Sequence, residues 1–588
     1  IAIDLARIKT WQKKIRSKIA GRSHVLFENI EAVRELERFF ESCLKRPAGP
    51  EVTDAQTDRT KGDALKSQGK LEEAIQCYQK AIGKDPACAE AFNSLGNALK
   101  LQNKPAQALK CYQQAIRVNP NFAEPYYNWG NLLKIAGQYR AAIEKYRTAL
   151  DLNPDFAQAY CNTGLALKAT GRIKQAIENF QQAILLKPDL AEAHNNLGNI
   201  LNDDGQFSTA VAHFHKALAL QPDYAEAFNN LGVAHYYQGR IKTALASYDS
   251  AINLQPDFAD AHWNRALANL MAGRLEEGFR EYEWRFLKSD WQTVYFQRYR
   301  LPRWDGTPFR GKRLYVHDEQ GLGDTLQFVR YLPLVKKRGG TVIMEAKKPL
   351  HGVLRNFPGI DELVVRSTNG QPAATCDFCI PLLSLPAIFE TTLESIPATH
   401  PYLFADSVKT HDWRQRLQAR GLKIGIVWAG RPVVRTDPVG LSYRSCSFQW
   451  FASLAQIPEI RIYGLQKGAA AEDVEKSGLG GRVINLGAAL NDFSDTAAVI
   501  ANLDLVISID TSVAHLAGAM GKPIWLLLPK AADWRWLQQR SDSPWYPSMR
   551  LFRQQELGVW DHVFKQIKQS LIHLCRQRQD VDPITGMD

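Results

Sequence analysis

The sequence predicts an all-helical repeat superhelix followed by an α/β region built as two halves. Three observations predict it. Small residues recur every 34 positions through the first part of the chain. That recurrence stops at Trp284-Arg285. Beyond Gly311, short apolar runs of strand length alternate with amphipathic helical segments, the pattern of a parallel sheet.

The repeats come first. Gly stands at 62, 96, 130, 164, 198 and 232. Ala stands at 74, 108, 142, 176, 210 and 244, and again at 81, 115, 149, 183, 217 and 251. Pro stands at 86, 120, 154, 188, 222 and 256. This is the period and small-residue pattern of the tetratricopeptide repeat (TPR). Small side chains at the eighth and twentieth positions let two antiparallel helices approach closely, and Pro ends the second helix. Six complete repeats run from Ala55 to Phe258. A seventh starts at Ala259 and decays, with Ala266, Gly278 and Arg285 at its marked positions. The array is placed at 55–292, and residues 1–54 read as an N-terminal helical cap or extension.

One column inside the array points to binding. The sixth position is Asn128, Asn162, Asn196, Asn230 and Asn264. Helical spacing puts it opposite the apolar stripe, facing solvent in the inner groove. Asn is a mediocre helix former, while its amide offers both donors and an acceptor. A stack of such amides would pair with the backbone of an extended peptide. Inheritance through repeat duplication is the alternative. The column resembles the inner asparagines of the O-GlcNAc transferase TPR superhelix, which grip acceptor polypeptide; the resemblance covers roughly residues 55–290.

A linker at 293–310 leads to the α/β region. Arg313–His317, Thr341–Glu345, Glu362–Arg366 and Cys376–Ile380 read as strands of a first half, 311–410. Lys423–Trp428, Arg461–Leu465, Arg482–Leu486, Leu503–Ile509, Pro523–Leu528 and Met549–Arg553 read as strands of a second, 411–575, followed by a tail at 576–588. Two Rossmann-like halves are the architecture of GT-B glycosyltransferases. Ligands of open α/β sheets bind beyond the carboxyl ends of the strands, so chemistry is sought there.

The first candidate is Asp318-Glu-Gln-Gly-Leu-Gly-Asp324. Gly321 and Gly323 allow a tight turn and close ligand approach. Asp324 is either a helix cap or a general base that takes the proton of an acceptor hydroxyl. The second is Asp510-Thr-Ser-Val-Ala-His515. A helix starting here offers free amides at Thr511, Ser512 and Val513 to a diphosphate, and Asp510 could accept sugar hydroxyls or cap the helix. His515 sits inside the helix, structural or donor-binding. The third is the loop after Trp428, with Arg431 and then Arg444, cations able to balance a leaving nucleoside diphosphate or simply solvated. Gln466 and Lys467 end the next strand, where a base or ribose would lie. Two aromatic segments, Asp533-Trp-Arg-Trp536 and Ser543-Pro-Trp-Tyr-Pro547, read as packing or as a cover for the site.

The Gly-x-Gly-Asp loop, the segment from Asp510 to Pro523 and the two-half layout resemble glycosyltransferase family nine, the lipopolysaccharide heptosyltransferases, over roughly residues 311–575. The resemblance implies a GT-B fold and inverting chemistry. It implies Asp324 as base, Asp510 on the donor sugar, Thr511 and Ser512 on the diphosphate, and Arg444 as the loosely aligned phosphate-binding cation. The loop after Trp428 lacks the family's Thr-Thr and Lys pattern, which argues against ADP-heptose as donor. The O-GlcNAc transferase catalytic signatures are absent, so that likeness ends with the array. Bacterial flagellin glycosyltransferases with TPR arrays offer a similar plan.

Composition sets the remaining bounds. Of 588 residues, 45% are apolar and 23% charged, as in a globular protein rather than a disordered or collagen-like one. No segment approaches the roughly 18 apolar residues of a membrane span. No secretory pattern opens the chain, which starts at Ile1 rather than Met. The nine cysteines are scattered, and the single Cys376-x-x-Cys379 lies in a strand, so it reads as structural. Cytoplasmic residence is the expectation, with a place peripheral to a membrane as the alternative. The net charge of +12 fits an anionic partner; a nucleotide sugar serves, and no nucleic-acid motif accompanies the charge. The chain therefore reads as an inverting, metal-independent glycosyltransferase without cofactor, moving a sugar to a Ser or Thr hydroxyl of a protein acceptor held in the TPR groove. End-repeat pairing would make it a homodimer. The alternatives are a TPR adaptor with a nucleotide-binding or degenerate α/β part, and a transferase acting on lipid or polysaccharide.

Overall fold

The computed structural model describes residues 54–288, 301–367, 371–397, 400–418, 421–430, 444–479 and 481–581. The N-terminal extension up to residue 53, residues 293–300 of the linker, Arg431 and residues 582–588 lie outside the described residues. The chain forms two compact units that divide between Arg172 and Ile173.

Among the described residues the first unit holds seven helices: Asp54–Ser67, Leu71–Lys84, Ala89–Leu101, Pro105–Val118, Ala123–Ile135, Tyr139–Leu152 and Ala157–Ala169. Three-residue turns fold each second helix back on the first, with a left-handed residue such as Gly69 (φ 77°) at the turn. The glycine column is explained by direct contact. A Cβ at Gly62, Gly96 or Gly130 would lie 2.6, 2.5 and 2.5 Å from a ring carbon of Tyr78, Tyr112 and Tyr146. Each of these tyrosines is fully buried, so only glycine admits the ring at the helix crossing.

The second unit begins with Ile173–Leu186 and continues with the pairs Ala191–Asp203 and Phe207–Leu220, Ala225–Tyr237 and Ile241–Leu254, Ala259–Met271 and Leu275–Tyr282. A short 3-10 turn, Glu283–Phe286, closes the last pair. The unit then contains two all-parallel sheets. The first has strands β1 (Arg313–His317), β2 (Thr341–Ala346), β3 (Glu362–Val365) and β4 (Phe378–Pro381) in the order β3-β2-β1-β4. The second has β5 (Leu422–Val427), β6 (Ile460–Gly464), β7 (Val483–Asn485), β8 (Leu505–Ile509), β9 (Ile524–Leu528) and β10 (Met549–Arg553) in the order β10-β9-β8-β5-β6-β7. Read from β7, the second sheet has the doubly wound order 3-2-1-4-5-6, and the first has its first four strands. The order reverses beside β1 in one sheet and between β5 and β8 in the other. Strands buried on both faces read as unbroken apolar runs, and β8 is buried at every residue.

Every expected strand forms within two residues of its sequence position. The final helix, Asp561–Val581, runs on past residue 575. The last repeats are not a separate body from the α/β region. Phe279 meets Phe328, Trp534 and Trp545 edge to face, at 6.2, 5.5 and 6.4 Å. Residues from Ile241 to Tyr282 share one hydrophobic core with both sheets. Among the described residues, no helix is long and apolar enough to cross a membrane.

Candidate functional site

The loop after β1 and the turn after β8 meet. The helix Leu322–Phe328 starts immediately after Gly321, and Asp324 occupies its third position. Its Oδ2 accepts from Gly321 N–H at 2.7 Å, the capping geometry that is the structural reading of this residue. Its Oδ1 accepts from Arg535 Nη2 at 2.5 Å, and the side chain keeps 17% exposure. The Arg535 side chain is buried at 7% exposure. It also donates to Gln327 Oε1 at 2.7 Å and Asp533 Oδ1 at 2.9 Å. Burial opposes its charge, but the two aspartates more than offset that.

Asp510 ends β8, and the helix Ser512–Ala519 follows at once. Trp536 Nε1–H donates to Asp510 Oδ2 at 3.0 Å, and His515 Nε2 stands 3.7 Å from Oδ1. His515 Nδ1 lies 2.8 Å from Tyr546 Oη; with the proton on Nε2, the histidine accepts from the tyrosine. Burial alone would raise the Asp510 carboxyl. His515, Arg444 and the Trp536 indole outweigh it and hold the carboxyl at about 2. At neutral pH Asp510 is thus a fixed anion and a poor proton acceptor.

The two segments touch through Gly323. A Cβ there would lie 2.7 Å from His515 Cδ2. The Ser512 helix starts with Thr511 in extended conformation and no side-chain cap on its first amides. Thr511 Oγ1 stands 3.0 Å from Ser508 Oγ. Val513 is half-buried beside it. Arg444 packs on Gly430 just beyond β5: a Cβ at Gly430 would lie 2.5 Å from Arg444 Nη2. Arg444 Nε is buried without a hydrogen-bond partner among the described residues. β5 and β8 are adjacent, so Arg444, Asp510 and the Ser512 amides lie at the strand reversal, where doubly wound sheets take ligands.

Other expected site residues are already engaged. Gln466 is buried, and its Oε1 accepts from Ala429 N–H at 3.0 Å and Trp428 N–H at 3.3 Å. It secures the end of β5 rather than facing open space. Lys467 donates to the Leu490 carbonyl. The expected solvent-facing asparagines are a correction. Asn128, Asn162 and Asn196 are 8%, 9% and 8% exposed, and Asn230 and Asn264 are half-buried. Four of the amides reach back to the fifth position of the preceding repeat, and in the first unit Asn128 donates to Asn93 at 2.9 Å and Asn162 to Tyr127 at 2.8 Å. In the second unit Asn230 donates to Asn195 at 3.1 Å and Asn264 to Asn229 at 2.9 Å. The helical wheel ignored the neighbouring repeat, which supplies these partners.

Sequence reasoning missed Arg535 and Trp536 as site residues. The available signal was the Asp-Trp-Arg-Trp segment itself: an arginine between two apolar rings is carried into the interior and must find a carboxylate there. Trp534, Trp536, Trp545 and Tyr546 are all buried, so the aromatic segments pack as core and deliver polar groups to both aspartates. Cys376 and Cys379 belong to a small apolar cluster behind β1 and are not bonded to each other.

With this geometry in place, the comparisons with known proteins concern the array. TPR repeat families match residues 62–103, 130–171, 164–205, 198–239 and 234–273, and tetratricopeptide repeat families match 89–122 and 111–144. Residues 62–273 are therefore TPR repeats, a protein-interaction module. Protein FlbA of Caulobacter vibrioides is 29% identical over 328 residues, which is 50% of this chain and 52% of FlbA. The chain thus spans about half the length of that curated relative. Among solved structures, YrrB, described as a TPR protein with an unusual peptide-binding site, is 28% identical, covering 31% of this chain and 95% of YrrB with a TM-score of 0.27. A thermophilic TPR protein of Thermus thermophilus is 25% identical, covering 31% of this chain and 100% of its own, with a TM-score of 0.28.

Proposed function

We propose that the chain is an inverting glycosyltransferase of GT-B architecture, moving a sugar from a nucleotide sugar to a hydroxyl of a protein acceptor recruited by the TPR repeats. One observation carries the reading. Two loops at strand-order reversals bring an accessible carboxylate, Asp324, against an uncapped helix start flanked by a second carboxylate, Asp510, and the cation Arg444. Asp324 would take the proton of the acceptor hydroxyl through a lone pair left free by Gly321 and Arg535. The acceptor oxygen would bond to the anomeric carbon as the bond to the diphosphate breaks, inverting the centre. The diphosphate would leave onto the 511–513 amides and Arg444, which supply the electrostatic stabilisation without a metal. Asp510, too acidic for a base, would accept hydrogen bonds from donor sugar hydroxyls. The array supports a protein acceptor, since a small saccharide acceptor would need no protein-interaction module. Peptide bound at the asparagine column would exchange partners with the preceding repeat, so each amide adds little net affinity.

One observation favours a second reading. Both oxygens of Asp324 are already engaged, as a purely structural cap would be, and the chain would then be a TPR adaptor with a nucleotide-binding α/β part. Thermal stabilisation by ADP, UDP, GDP, CMP and their sugar conjugates tests the transferase. A ligand at 100 times its Kd stabilises by about 2.7 kcal/mol. The transferase reading expects one responding nucleotide class and slow donor hydrolysis; binding without hydrolysis fits the adaptor, and no response removes the donor site.

A further inference from the structure

The Asp324 loop is gripped from outside the sheets by the last turn of the seventh repeat. In the six regular repeats the twenty-seventh position is a fully buried Ala: 81, 115, 149, 183, 217 and 251. In the seventh it is Arg285, also fully buried. All five guanidinium donors are used. Nε and Nη2 donate to Glu319 Oε2 and Oε1 at 3.1 and 2.8 Å, Nη2 also to Ser384 Oγ at 2.8 Å, and Nη1 to Tyr282 O and Glu283 Oε1 at 3.1 and 2.7 Å. Glu319 is fully buried as well, and its Oε1 accepts from Leu383 N–H at 3.2 Å. The next residue, Gln320, has a left-handed backbone (φ 53°) and donates from Nε2 to Tyr282 Oη at 2.7 Å. Then comes Gly321, whose N–H holds Asp324. The bonded path from repeat to carboxylate is continuous.

Docking alone did not require this. Phe279 already buries an aromatic side chain against Phe328, Trp534 and Trp545. A buried ion pair is a weak source of stability, because desolvation offsets its attraction. A five-donor fork is a strong source of geometry, and a left-handed Gln persists only where its surroundings impose it. We propose that Arg285 is a positioning residue for the Asp324 loop, so that the seventh repeat belongs to the α/β site rather than to the recruiting array. This rests on the transferase reading for the role of Asp324.

The test uses the full chain carrying Arg285→Lys, which keeps the charge but offers three donors for five. Donor turnover should fall about 100-fold in kcat, the cost of a misplaced reacting group, with KM for the nucleotide sugar within about twofold because the Asp510 side is untouched. Amide exchange of residues 318–326 should quicken about tenfold while the rest of the unit stays protected. Wild-type kcat with wild-type exchange overturns the proposal, as does exchange that quickens equally everywhere. If the lysine variant fails to fold, Tyr282→Phe, which removes only the Gln320 acceptor, carries the same two readouts. If the wild-type chain turns over no donor at all, the transferase reading fails, and the exchange of 318–326 still decides whether Arg285 holds the loop.

Discussion

Asp324 and Asp510 are the same residue type beside central strands of the two sheets, yet their neighbours place them in opposite electrostatic settings. Asp510 is enclosed by an indole N–H, His515 and Arg444, which hold its carboxyl at about 2. Asp324 sits on a glycine loop with one guanidinium and one main-chain N–H, keeps 17% exposure and retains free lone pairs. Environment, rather than residue type, separates the two, and in the proposed transferase it divides an anion that would bind the donor from a carboxylate that would take the acceptor proton.

The largest effect expected from this contrast is Asp324→Asn. It should lower kcat for transfer about 1000-fold, within the range of a lost general base, with nucleotide affinity nearly unchanged by calorimetry. Equal loss of affinity would erase the contrast. Asp510→Asn should instead raise KM for the donor and cost about 2 kcal/mol of stability at pH 7. The sign follows from the depressed carboxyl. Its contribution is fully present above about pH 4 and is lost as pH falls toward 2, so the melting difference between mutant and wild type should close over that window. Gly323→Ala should cost about 1–3 kcal/mol, read as a lower Tm, because the new Cβ meets a His515 ring that Tyr546 and Asp510 hold in place. The smallest effect sharpens the contrast between site and array: Asn162→Ala should raise KM for the protein acceptor only about twofold and leave donor hydrolysis unchanged.

Much of this was legible before the structure. The 34-residue period fixed the helices, and the apolar runs placed all ten strands, because repeat packing and buried parallel strands both write strong local patterns. The Gly-x-Gly-Asp loop and the Asp510 turn were found the same way, as breaks at strand ends. What stayed hidden depends on distant partners. Arg535 is 211 residues from Asp324, and nothing local says which carboxylate a buried arginine will meet. The asparagine column was read on one helix alone, so its partners in the preceding repeat were invisible. Arg285 was seen only as decay of the seventh repeat, although an arginine in a column of buried alanines already asked for a buried acid.

The most direct test of the central claim is the stereochemistry of the sugar released or transferred from the responding nucleotide sugar, followed by proton NMR in wild type and Asp324→Asn. The account predicts an inverted anomeric centre in the wild type and loss of product in the mutant, with the nucleotide still bound. A retained configuration, or undiminished product from the mutant, would contradict it.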